Sequence, residues 1–130
     1  MNGSVPEKAQ PRLRITGPAQ RDIAAIAKWT IRKFGETATL RYMALIRQAL
    51  LDIGANPERP GSRSRPEILV AGARTYHISF SQSSGGDLRV KEPRHLLLYR
   101  QGVDGIVDVA RVLHDGRDFE RHLPKDYRSR

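Results

Sequence analysis

The chain has 130 residues, which is room for one ordinary domain with a real core but not for two. It carries 23 Lys+Arg against 14 Asp+Glu, a formal charge of +9, with arginine well ahead of lysine. It contains no cysteine, which excludes disulfides, thiolate nucleophiles and any Cys-containing zinc site.

The opening "MNGSVPEKAQP" lacks the apolar core of a secretory signal, and no apolar run approaches the roughly 20 residues that span a bilayer. These features predict a cytoplasmic protein with no membrane partner. A basic balance can simply serve solubility. An arginine surplus also suits an anionic partner, because the guanidinium is a planar fork for carboxylates and phosphates.

Residues 1–10 are polar and read as a flexible tail. "RLRIT" (residues 12–16) alternates polar and apolar and predicts a short strand. Thr16 can cap a following helix, with Pro18 in the first turn, where its missing N–H costs nothing. Ile23, Ile26, Ala27, Thr30, Ile31 and Phe34 recur at spacings of three and four. That is one buried face of a helix over about residues 18–34, broken by Gly35. A second helix begins near Glu36, with a stripe of Leu40, Met43, Ile46, Leu50 and Ile53, and Asn56-Pro57 ends it. A linker of about one residue predicts that the two helices fold back as an αα-hairpin.

"NPERPGSRSRPE" (residues 56–67) is loop by composition, with three prolines. "ARTYHISF" (residues 73–80) is rich in β-formers and predicts a strand. Residues 81–94 form a polar insert. "HLLLYRQGV" is a continuous apolar run of the kind found in a central strand buried on both faces. Asp104-Gly105 suits a hairpin turn, and "IVDVARVLH" returns as the last strand. "DGRDFERHLP" predicts a short helix or turn that stops at Pro124, before a basic tail at 125–130. The expectation is one α+β domain over residues 11–124, in the order β-α-α-β-β-β. It has an antiparallel three-strand meander and both helices on one face.

The candidates for chemistry are sparse. Asp115 and Asp118 stand three apart among arginines, a pattern that suits caps and surface ion pairs better than an acid–base pair. His77, His95, His114 and His122 show no ligand spacing, so no metal or other cofactor is expected. His114 ends a strand between Arg111 and Arg117. It can serve as an acid–base group on a phosphodiester, or its ring can bond a backbone carbonyl or Asp118. Trp29 can lie at the core's edge or anchor an interface. Basic patches occur at Arg59, Arg63 and Arg65, at Arg74, at Arg89, Lys91 and Arg94, and at Arg111, Arg117 and Arg121. Few aromatics interleave with them, and no helix-turn-helix pattern is present, which argues against direct reading of DNA.

The chain nevertheless resembles a known family. The segments "LRITGPAQRDIAAIAKWTIRKFGETATLRYMALIRQALLDIGANPERPG", "AGARTYHI", "HLLLYR" and "VARVLHDGRDFERHL" together resemble the ParE branch of the RelE/ParE toxins of bacterial toxin-antitoxin systems. The resemblance implies a non-catalytic toxin that poisons DNA gyrase and is neutralised by a ParD-like antitoxin. DNA would be reached only through the antitoxin complex. Trp29, Arg59, Arg63, Arg65, Arg74, Arg111, His114 and Arg117 would then face the antitoxin or the target. The sister branch implies a ribosome-dependent mRNA endonuclease instead, with Glu67, Arg74, His114 and Arg117 as the acid–base and phosphate-binding set. A non-toxic, purely interacting homologue is a third possibility.

Overall fold

The protein is described here from a computed structural model covering residues 12–68, 70–83 and 89–116. The expected C-terminal helix or turn and both tails lie outside the described residues, as do Arg117, Asp118, Arg121 and His122.

The chain opens with strand β1 (Leu13–Ile15) and passes straight into a helical run, α1 (Gly17–Ala55). Thr16 joins the two in the way its side chain suggests. Its Oγ1 accepts the Ala19 N–H at 3.2 Å and donates to the Ala110 carbonyl at 3.0 Å. One hydroxyl thus caps the helix and pins its start to the sheet. Asn56 closes the run, its N–H bonded to Asp52.

α1 is broken at Gly35, whose φ of 87° and ψ of 178° are not helical. An unbroken helix of 39 residues would be about 58 Å long, far beyond the reach of a short sheet. The break lets both arms, 17–34 and 36–55, contribute to a single core. Ala19 and Ile26 of the first arm share it with Leu45, Ile46, Ala49, Leu50 and Ile53 of the second.

Strands β2 (Arg63–Ser64), β3 (Arg74–His77), β4 (His95–Gln101) and β5 (Val107–His114) follow. The sheet order is β1-β5-β4-β3-β2, with β1 parallel to β5 and every other pairing antiparallel. β4 is the middle strand, and its apolar run divides between two faces. Leu97 and Tyr99 join the helix-side core, while Leu96 and Leu98 pack with Ile68, Ala73, Ala110 and Leu113. A bulge opposite Leu98 and Tyr99 gives β5 one extra residue, since Leu98 pairs with Arg111 but Tyr99 pairs with Val109.

Several expectations are corrected. The loop at 56–67 contains a strand, because Arg63 and Ser64 find a ladder partner in β3. "ARTYHISF" leaves the sheet after His77 and continues as a 3₁₀ turn, Ile78–Ser81, whose Ser79 N–H is capped by the His77 ring. Ile31, Phe34 and Leu40 are exposed rather than core residues. They flank the Gly35 break, where the two arms run past the edge of the core, so helical periodicity continues there with nothing beneath it.

Gly35→Ala tests the break. No atom lies within 4 Å of where its Cβ would stand, so any cost is one of backbone conformation alone. A φ/ψ pair open essentially to glycine predicts a loss of about 1–3 kcal/mol, read from the denaturation midpoint.

Candidate functional site

The first arm of α1 is tied to β5 by one carboxylate. Asp22 Oδ2 accepts Arg111 Nε at 2.6 Å, and its Oδ1 accepts Arg111 Nη2 at 2.9 Å. The same Oδ2 accepts the Val112 backbone N–H at 2.9 Å. The need arises from the length of β1, which pairs only with residues 107–109 of β5. Beyond Val109 the outer edge of β5 has no strand there, and Asp22 supplies an acceptor in its place.

Past this clamp, β5 ends at His114, paired with His95 at the start of β4. Their rings meet edge to face, with centroids 5.5 Å apart. Tyr42 from the second arm accepts the Arg94 N–H at 2.9 Å and stands 2.6 Å from His95 Nδ1. Burial pushes the Tyr42 phenol up from its ordinary value. His114 Nδ1 accepts the Gly116 N–H at 3.0 Å, and the Asp118 partnership its sequence position suggests lies outside the described residues.

Asp115 sits beside this cluster. His77 Nε2 lies 2.8 Å from one carboxyl oxygen and Arg94 Nε lies 3.2 Å from the other. The Ser79 N–H donates to His77 Nδ1, so the Nε2 carries the proton that meets Asp115. Burial works to raise the Asp115 carboxyl. The His77 bond and the Arg94 charge outweigh it and hold the group below its ordinary value near 3.8. Among the described residues, no group of three His, Asp or Glu side chains is placed to hold a metal ion.

These groups border a groove of about 1000 Å³ between the two helical arms, the 89–94 segment and the end of the sheet where β4 begins and β5 stops. His95 and His114 line its sheet end, and Trp29 and Phe34 line it from the first arm. The two aromatic rings lie edge to face at 5.7 Å and are 45% and 64% exposed. Lys28, Arg32, Arg41, Arg89, Lys91 and Arg94 add positive charge, against Glu92 as the one lining carboxylate among the described residues.

The residues singled out by sequence divide sharply. Trp29 and His114 reach the groove. Arg111 is held by Asp22. Arg59 pairs with Asp52 at 3.3 Å and lies over the Tyr76 ring. Arg65 donates to Thr75 Oγ1 at 2.8 Å and pairs with Glu67 at 3.5 Å. Arg74 donates to Ser62 Oγ at 2.7 Å, within a knot that includes Tyr99 and the Pro57 carbonyl. Arg63 is exposed on β2. Of the ribonuclease set, Arg74 and His114 are not brought together, and Arg117 lies outside the described residues. Arg74 pairs with Tyr99 and His114 with His95, which puts them about 13 Å apart along β4. Sequence reasoning missed Phe34, Arg41 and Tyr42. Phe34 and Arg41 flank Gly35 six residues to either side or nearer, and only the break turns them toward one groove.

A family model for the ParE toxin of the type II toxin-antitoxin system, parDE, matches residues 13–119. The chain belongs to the ParE toxin family. No curated protein matches it. Membership makes this ParE-family chain the toxin of a type II system, which implies an antitoxin partner. No helix among the described residues is long and apolar enough to cross a membrane.

Two outcomes follow for the clamp and its neighbour. Asp22→Ala leaves the Arg111 guanidinium and the Val112 N–H without their acceptor and should cost about 2–3 kcal/mol, measured by urea denaturation. Asp115, with its folded value depressed, stabilises the fold above its ordinary value of 3.8 and loses that contribution as pH falls through the lower folded value. The stability gap between the native chain and Asp115→Asn should therefore close below about pH 4 and be full at pH 6.

Proposed function

We propose that this toxin acts by inhibiting DNA gyrase, without chemistry of its own, and that a ParD-like antitoxin neutralises it by covering the aromatic and basic groove. The family match over residues 13–119 carries the reading. Gyrase is the target that resemblance to the ParE branch implies. The groove adds support, because its cations suit an acidic segment and its exposed rings suit an apolar anchor on that segment. A segment that folds as it binds can cover both at once. Trp29 and His114 are the groove residues proposed to face the partner, and exposed Arg63 is proposed to face the target.

The ribonuclease reading needs Glu67, Arg74, His114 and Arg117 around one phosphodiester. The separation of Arg74 and His114 along β4 and the engagement of Arg74 with Ser62 count against it.

The purified chain should abolish supercoiling by gyrase, and the co-purified antitoxin should restore it. Glu67→Ala and Arg74→Lys should still arrest growth when folded. Unimpaired supercoiling together with ribosome-dependent mRNA cleavage, lost in Glu67→Ala, would overturn the proposal.

A further inference from the structure

The groove combines two kinds of surface that the linear sequence keeps apart. Trp29 and Phe34 are large rings left substantially in solvent, which marks a contact surface rather than a core edge. Lys28 and Arg32 lie on the same arm as Trp29, at the preceding and third following positions, so cations and rings interleave. Arg41 faces them from the second arm, and Lys91 borders the groove from the segment before β4. Among the described residues, none of these four cations has an ion-pair partner. The Arg41 Nε is buried with no hydrogen-bond partner, a donor that gains from an incoming anionic oxygen.

We infer that the groove binds a short single-stranded segment of nucleic acid, with bases stacked on Trp29 and Phe34 and phosphates on Lys28, Arg32, Arg41 and Lys91. This goes beyond the proposed function, in which DNA is met only through the antitoxin complex. A cationic channel studded with exposed rings is how single strands are held without sequence readout. A duplex fits poorly, since its bases already stack on one another and offer no free face to the exposed rings. A second copy of the chain fits poorly too, because each copy carries a formal charge of +9. The proposed antitoxin segment would occupy the same groove, so the strand and the antitoxin would compete for it; on the first arm Trp29 lies between Lys28 and Arg32, alternating ring and cation as a strand alternates base and phosphate.

Trp29 is the only tryptophan of the chain, so its fluorescence reports on this groove alone. The full chain is titrated with an oligodeoxythymidine of about ten nucleotides, within the usual site size of a single-strand groove. Saturable quenching is expected, with affinity falling on added salt at a log–log slope of about −2 to −3, as three or four phosphate contacts require. Phe34→Ala should weaken binding about 5- to 100-fold by removing one stacking platform. Lys91→Ala should reduce the salt slope by about 0.7. Both side chains are exposed, and unchanged far-ultraviolet dichroism confirms that the variants fold.

The inference is overturned if the oligonucleotide does not quench Trp29 at low salt, or if a duplex of equal length binds as tightly. Phe34→Ala binding like the native chain overturns it as well. Binding of an acidic amphipathic peptide but not of the oligonucleotide assigns the groove to protein alone and also overturns it. Supercoiling assays on the same preparation separate the two proposals. Gyrase inhibition without oligonucleotide binding removes this inference alone, whereas oligonucleotide binding with normal supercoiling removes only the gyrase reading.

Discussion

The upper half of β5 is the constraint on which the rest of the molecule depends. β1 is only three residues long, so it cannot cover the whole outer edge of its neighbour. Unpaired strand edges invite other chains, and their N–H groups need acceptors. Asp22 meets both needs by reaching from the first turns of α1 to Val112 and Arg111. A carboxylate in this partly buried place would be costly alone, and the bidentate guanidinium makes it tolerable. Helix and strand are thereby held in one register. His114 follows two residues later, so its position at the groove is set by the same contact.

Gly35 supplies the second constraint. A chain that must lay two helical arms on a narrow sheet has to turn sharply, and the observed backbone angles are open essentially to glycine. The turn leaves residues on both sides of it beyond the core. Ile31, Phe34 and Leu40 are the consequence, apolar and wet. The same turn brings Arg41 and Tyr42 opposite Trp29. The groove is thus a by-product of the break at Gly35, and the exposed rings are its cost. Stability would gain from polar residues there. Exposed Trp and Phe rings at this place fit a surface that meets a partner.

Elements with strong local signals were legible. Thr16, Pro18 and Asn56 announce the ends of the helical run, and each stands where its chemistry requires. The unbroken apolar run of β4 reads correctly as a strand buried on both faces. The two-residue strand β2 was not legible, because it owes its existence to the ladder with β3 rather than to its own residues, Arg63 and Ser64. The early end of β3 was hidden for a related reason. His77 caps the turn that follows it with its ring, a role that β-propensity does not register. Among candidate site residues, arginines were easy to find and hard to assign. Arg59, Arg65, Arg74 and Arg111 look alike in sequence to a phosphate-binding set, yet each is engaged by a protein partner. Only the partner's position in space separates a structural guanidinium from an available one.

By itself the sequence determined the fold class, the ends of the helical run and its break at Gly35, the central strand and the basic character of the chain. These follow from periodicity, capping chemistry and charge, all of which act over a few residues or over the whole chain. The tertiary structure decided which cations are spent inside the fold and which remain for a partner. It also decided that the rings of the first arm, the guanidinium of the second, and the histidines of β4 and β5 share one groove. Those facts depend on contacts between residues more than fifty positions apart, as between Tyr42 and His95, and no local pattern encodes them.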